Sequence, residues 1–287
     1  MYLDHFGLSC VPFSTTPDTR FFLELNNLRT LFKELLASLN APDGFMIVRG
    51  KAGMGKTILC HKLMNALRCH KRRYQLIHIP HPRLSEKSFL SAIAHELQLN
   101  ETVSPTLERE IVSALASNVE RGLINALIID EAQSMPDEAL EGLRKLAERS
   151  STSGHLLRVV LFAQPLPRQD LRQSRSRILA DRITLERNLT PLREKDIVSY
   201  INVRLTRSGY NGEPMFTPKA MRLLCEASKG IPRIINLLAH KSMLLAAEGN
   251  ERKIDRHHMM LAIQTTDATE KVSKPTAMDW IEKLTGR

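Results

Sequence analysis

The chain is poor in the residues that build small secreted folds. Its 287 residues include four cysteines, Cys10, Cys60, Cys69 and Cys225, and none forms a C-x-x-C pair. Zinc spacing is therefore absent, a disulfide framework is not expected, and a reducing cytosol fits best. The opening residues, Met1-Tyr2-Leu3-Asp4-His5, show no basic-then-apolar leader. No run reaches the ~18 apolar residues that a membrane span needs. A cytoplasmic location is expected, peripheral to the inner membrane if a membrane partner recruits the chain. Aromatic residues make up 5% of the chain, with a single tryptophan, Trp280, and no internal repeat or low-complexity tract is apparent. A long Lys/Arg run is also missing, although Lys and Arg number 41 against 31 Asp and Glu, a net charge of +10. That balance suits an acidic partner such as nucleic acid, anionic lipid or a nucleotide; the plainer alternative is an ordinary basic surface. The hydrophobic share, 43%, is enough for a substantial core.

What the chain does have is one glycine-rich turn, Gly50-Lys51-Ala52-Gly53-Met54-Gly55-Lys56-Thr57. The apolar run Phe45-Met46-Ile47-Val48 precedes it, and a helical pattern with Leu59, Leu63, Met64 and Leu67 follows. Buried strand, glycine turn and helix form the setting in which G-x-x-x-x-G-K-[ST] means a phosphate cradle. Glycines let successive N–H groups point at one anion, and the helix adds its unpaired N–H groups and the positive end of its dipole. Lys56 is placed to reach the β- and γ-phosphates, and the Thr57 hydroxyl to hold Mg²⁺. The nucleotide-binding set is completed by Ile58 at the helix start.

A second apolar run, Ala126-Leu127-Ile128-Ile129, ends in Asp130-Glu131. It reads as a central parallel strand that delivers two carboxylates to the carboxyl edge of the sheet, where open α/β sheets bind ligands. Asp130 suits Mg²⁺, and Glu131 suits orienting and deprotonating a water. Another buried strand pattern, 156–163, ends at Gln164-Pro165, whose amide is placed for the γ-phosphate or the attacking water; the alternative is a turn-satisfying glutamine. Between 168 and 187 lie six arginines, Arg168, Arg172, Arg175, Arg177, Arg182 and Arg187. They read as a nucleic-acid face, an arginine finger for a neighbouring subunit, or a solvated basic loop. From Leu192 the patterns are helical: 193–208, 217–228, 232–248 and 256–266. Arg233 opens the third, a poor place for a cation unless an anion lies near.

Together these elements resemble an AAA+ ATPase: the turn at 50–57 its Walker A, Asp130-Glu131 its Walker B, Gln164-Pro165 its sensor 1, and Gly230-Ile231-Pro232-Arg233 its sensor 2. The opening Tyr2-Leu3-Asp4-His5-Phe6-Gly7-Leu8, with Pro12-Phe13 and Thr16-Pro17-Asp18, is similar to the ExeA/GspA-type ATPases of the general secretion pathway, and more closely to the MshM-type ATPases of MSHA pilus biogenesis. The resemblance spans about residues 1–265. It implies an α/β fold, a parallel-sheet αβα P-loop domain followed by an all-helical lid, with ATP and Mg²⁺ as ligands. It also implies a homo-oligomer in which Arg182, from the family's Arg-Ile pair at Arg182-Ile183, serves a neighbour's nucleotide, with Arg177 in reserve. Ala163 departs from the family's usual glycine and is tolerated if its φ is negative. The secretion-type relatives continue into a membrane span and a peptidoglycan-binding domain; the sequence ends at Arg287, and neither activity is expected of it.

The expected organisation is an opening segment with a first helix (1–44), the nucleotide domain (45–191), a helical lid (192–267), and a polar linker with a short amphipathic tail (268–287). The expected function is ATP hydrolysis that drives or regulates assembly of a pilus or secretion machine at the inner membrane. One rival is a DNA-binding ATPase of the TniB/TnsC transposition kind, which the basic charge suits. Another is a nucleotide-gated adaptor that barely hydrolyses.

Overall fold

The computed structural model describes residues 2–99, 106–151, 154–165 and 182–273. The chain divides into two units, one of Glu24–Thr190 and one of Met1–Leu23 with Pro191–Arg287.

The first unit is built on a five-stranded sheet: β1 (Phe45–Arg49), β2 (Tyr74–Ile79), β3 (Ile124–Ile129), β6 (Leu157–Ala163) and β7 (Leu185–Asn188). The order is β2-β3-β6-β1-β7, and every pairing is parallel. A two-residue antiparallel pair, β4 (Ser150–Ser151) with β5 (Gly154–His155), forms just before β6. Before β1 runs helix α2 (Asn26–Asn40); α1 (Tyr2–Phe6) belongs to the other unit. The remaining helices of this unit among the described residues are α3 (Lys56–Cys69), α4 (Glu86–Glu96), α5 (Leu107–Glu120) and α6 (Asp137–Glu148).

The strand sequences explain the parallel arrangement. Ala126, Leu127, Ile128 and Ile129 are each fully buried, as are Val159, Val160 and Phe162. Strands covered on both faces need continuous apolar runs, and burying each large aliphatic side chain contributes about 1.5–3 kcal/mol. The buried exception is Asn125. Its amide donates to the Leu115 and Leu156 carbonyls, each at 2.9 Å, and its Oδ1 accepts from Asn118 at 2.8 Å, so the polar group lies buried but paired. Strand β7 breaks the apolar rule, since Leu185-Glu186-Arg187-Asn188 is largely exposed. Among the described residues its one strand neighbour is β1, and Arg49–Glu186 and Arg187–Glu34 ion pairs hold it.

The second unit is helical: α7 (Glu194–Arg207), α8 (Pro218–Ser228), α9 (Pro232–Glu248) and α10 (Arg256–Ser273). Thr217 caps α8 by accepting from the Ala220 N–H, and Pro218 and Pro232 stand where their missing N–H does no harm. Helix α10 continues through Ser273, beyond the 256–266 expected and into the stretch read as linker; its polar composition carries no clear apolar stripe. Trp280 and the rest of the expected tail lie outside the described residues.

The opening segment is part of this helical unit. Phe6 and Phe13 join its core with Ile201, Leu224 and Ile235. The strap of residues 9–22 is tied to α7. Arg204 is almost fully buried, with its guanidinium 4.9 Å from the ring centroids of both Phe21 and Tyr200, and it donates to the Pro12 carbonyl at 2.7 Å. Arg207 donates to the carbonyls of Arg20 and Phe22. Tyr200 donates to Asn236 Oδ1, which passes the chain of bonds on to the Ser14 carbonyl. These aromatics therefore serve packing within the helical unit.

The turn before α9 depends on one glycine. Gly230 has φ +74°, and a Cβ built there would lie 2.2 Å from the Leu192 carbonyl oxygen and 2.8 Å from its nitrogen. Both contacts are backbone and cannot swing away. Gly230→Ala is expected to destabilise the helical unit by about 2–4 kcal/mol, from left-handed strain plus overlap. Chemical denaturation of the variant beside the wild type measures this, and an unchanged midpoint would refute it.

Candidate functional site

The site gathers at the carboxyl edge of the sheet. Register places it: Arg49 pairs with Ala163, and Ile129 with Leu161, so the residues after β1, β3 and β6 emerge on one side. Gly50 donates its N–H to the Ala163 carbonyl at 3.1 Å, fastening the start of the glycine turn to the end of β6. A Cβ at Gly50 would sit 3.1 Å from the Leu189 Cβ, so the chain passes where a side chain has little room. Gly53 and Gly55 both have positive φ, 78° and 91°. Gly55 is the left-handed N-cap of α3; no side chain caps that helix, and no acid lies in its first turn. Such a terminus offers backbone donors and positive potential to an anion. Lys51 and Ala52 are exposed, Gly53, Thr57 and Ile58 are partly exposed, and Met54 is buried beneath the turn.

Lys56 is 4% exposed, and its ammonium donates to the Gly50 carbonyl at 2.9 Å and the Lys51 carbonyl at 3.3 Å. A buried ammonium held by the turn it serves is a positive charge stationed inside the cradle. The turn thus fits a polyphosphate: glycine backbone, an uncapped helix start and a fixed cation are gathered in one turn.

The carboxylates lie two strands away. Asp130 is buried, its N–H continues the ladder to the Ile79 carbonyl, and its Oδ1 accepts the Glu131 N–H at 2.8 Å. The Cys60 thiol of α3 is pushed upward by burial and, secondarily, by the Asp130 carboxylate. Thr57 and Asp130 supply the hydroxyl and carboxylate oxygens that suit Mg²⁺. Among the described residues no cluster of three or more His, Cys, Asp or Glu is placed to hold a metal ion.

Glu131 has φ 50° and ψ 38°, a left-handed conformation that costs a residue with a side chain roughly 1–3 kcal/mol. The chain turns sharply there into a short 3₁₀ segment, Ala132–Ser134, pinned by Ser134 donating from N and Oγ to the Glu131 carbonyl. Glu131 Oε2 accepts from two amides, Gln164 Nε2 at 3.2 Å and Gln133 Nε2. Gln133 Oε1 in turn accepts the Gln164 N–H at 2.8 Å. Gln164 therefore stands beside Glu131, and Gln133, which sequence reasoning passes over, joins them. The four-residue run Asp130-Glu131-Ala132-Gln133 is its only sequence signal. Ala163 is in β6 and is not among the residues with positive φ, so alanine is accommodated there.

Arg182 is elsewhere in the unit. It lies 3.3 Å from His155 Nε2 and 3.6 Å from Glu148, just ahead of the amino ends of β6 and β7. That is the edge of the sheet opposite the glycine turn. Arg187 is committed to Glu34. Arg168, Arg172, Arg175 and Arg177 fall outside the described residues. In the helical unit Arg233 is at the first turn of α9, which contains no acid and no side-chain cap.

The strand order and this edge define the fold of the AAA+ P-loop NTPases, and residues 39–171 match a family model described as an AAA domain. General secretion pathway protein A of Aeromonas hydrophila is 34% identical over 265 residues, covering 91% of this chain and 48% of that protein. The chain thus spans about half the length of this relative. Solved structures agree on the fold: Drosophila ORC bound to DNA (TM-score 0.69, 15% identity, 93% of this chain and 68% of that one) and Cdc6p from Pyrobaculum aerophilum (0.59, 16%, 85% and 67%). The Thermotoga maritima RuvB Holliday junction branch migration motor is a third (0.57, 18%, 85% and 70%). No helix among the described residues is long and apolar enough to cross a membrane.

Proposed function

We propose that the chain is an ATP hydrolase whose cycle drives or regulates assembly of a secretion or type IV, MSHA-type pilus machine at the inner membrane. The observation that carries the hydrolase reading is the single sheet edge shared by the Lys56 cradle, Asp130, Glu131 and Gln164. The similarity to general secretion pathway protein A supports the setting. In this reading the turn 50–57 and Ile58 bind ATP, with Lys56 on the β- and γ-phosphates. Thr57 and Asp130 hold Mg²⁺, which neutralises charge on the phosphate oxygens. Glu131 orients and deprotonates water, and Gln164 contacts the γ-phosphate or that water. Arg233 is assigned a phosphate contact.

Arg182 is assigned to a neighbouring subunit's nucleotide. Its position at the edge away from its own cradle supports action across a subunit boundary, and hence a homo-oligomer.

The experiment is a titration with a fluorescent ATP analogue alongside a phosphate-release assay. Lys56→Ala removes the fixed cation and is expected to weaken nucleotide binding by on the order of 10²-fold, the worth of one or two charge-assisted hydrogen bonds. Wild-type affinity in that variant, with the fold intact, would sink the reading.

A further inference from the structure

We infer that Gln133 is a positioning residue for the hydrolytic step: its side-chain amide fixes the Glu131 carboxylate and the Gln164 backbone relative to each other. The inference rests on the hydrolase reading above and adds to it a residue that reading does not use.

The geometry is specific to an amide. Gln133 uses both ends at once, donating from Nε2 to Glu131 Oε2 and accepting at Oε1 from the Gln164 N–H. A carboxylate in its place could accept but not donate, and an apolar residue could do neither. The strap joins the end of β3 to the end of β6, the two strands that present the acid and its neighbouring amide. Backbone conformation makes this reach available. The left-handed turn at Glu131 and the 3₁₀ segment after it send the chain back on itself, so a side chain two positions on meets the Glu131 carboxylate.

The consequence falls on Glu131. Both amide donors, Gln133 and Gln164, meet the same oxygen, Oε2. Oε1 has no hydrogen-bond partner among the described residues, so it is the oxygen left to take a proton from water. A general base must be within hydrogen-bond reach of its proton and held there. If Gln164 turns its side chain to a γ-phosphate, Gln133 remains as the donor that keeps Oε2 engaged and Oε1 aimed. Gln133 itself touches neither water nor phosphate in this scheme, and acts only through its neighbours.

The test uses Gln133→Ala and the near-isosteric Gln133→Glu, at the protein concentration where wild-type turnover per subunit is highest. Turnover and the binding of a fluorescent ATP analogue are measured in parallel, and unfolding curves are recorded for each variant. Gln133→Ala is expected to lower kcat by ~10- to 100-fold, the loss of one hydrogen bond to a charged group, with nucleotide affinity unchanged. Gln133→Glu keeps an acceptor for the Gln164 N–H but loses the donor to Glu131. Its kcat is therefore expected to fall at least as far as that of Gln133→Ala, again with nucleotide affinity unchanged. A merely structural role would lower affinity and kcat together. Wild-type kcat in either variant, or nucleotide affinity that falls in step with kcat, would overturn the assignment. Absence of turnover in the wild type would remove the hydrolase reading and this one with it, whereas active wild type beside unaffected variants removes only the role of Gln133.

Discussion

Glu131→Gln is expected to bind ATP as the wild type does and to hydrolyse it ~10²–10⁴-fold more slowly, the usual contribution of a general base. The substitution keeps shape and removes charge and basicity. Gln133 and Gln164 donate to Glu131 Oε2, and an amide oxygen can accept the same bonds, so the turn after β3 should persist. The strained backbone at residue 131 is also retained, since only the side-chain terminus changes. Binding is spared because the phosphate cradle, with Lys56 on the Gly50 and Lys51 carbonyls, follows a different strand. The variant should accumulate a stable ATP complex. Single-turnover phosphate release and equilibrium binding separate the two effects, and a variant that turned over at the wild-type rate would show that another group is the base.

Arg182→Ala is expected to lower turnover of the assembled protein by ~10³-fold or more, the range known for arginine fingers. The reasoning is geometric. Arg182 sits with His155 and Glu148 at the amino edge of the sheet, and the cradle opens at the carboxyl edge. It cannot reach its own chain's phosphates through the sheet, so any catalytic use is in a partner. Mixing Arg182→Ala with Glu131→Gln subunits therefore makes a sharp test. Each alone should be nearly silent, while the mixture should recover activity where a Glu131→Gln subunit lends its arginine to an intact site. A mixture as silent as its parts, or full activity in Arg182→Ala alone, would dismiss the assignment.

The contrast between these sites shows what sequence can carry. The turn at 50–57 and the pair Asp130-Glu131 are legible because the placement each proposed role needs is set by neighbours in the chain: glycines at fixed offsets, or an apolar strand ending in acids. Gln164 is legible for the same reason, as the first residue after a buried strand. Gln133 is not, because its contact with Glu131 depends on a left-handed backbone at Glu131 that no side-chain pattern announces. Strand β7 escapes a sequence reading because a strand with one described neighbour needs little apolar surface, and Leu185-Glu186-Arg187-Asn188 has little. The packing of Phe6 and Phe13 with α7, α8 and α9 joins residues from distant parts of the chain, such as Phe6 and Ile235. Local periodicity identifies the aromatics but not their destination. Helix α10 outruns its expected end because Thr, Asp, Glu and Lys in sequence resemble a linker wherever no apolar stripe marks the helix.

The most direct test of the account is a crystal structure of Glu131→Gln grown with ATP and Mg²⁺. The account predicts an uncleaved triphosphate lying along residues 50–57, the Lys56 ammonium moved from the Gly50 carbonyl to phosphate oxygen, and a metal ion between the Thr57 hydroxyl and phosphate. Triphosphate density anywhere else, or Lys56 still bonded to Gly50 with no phosphate beside it at saturating ATP, would contradict it.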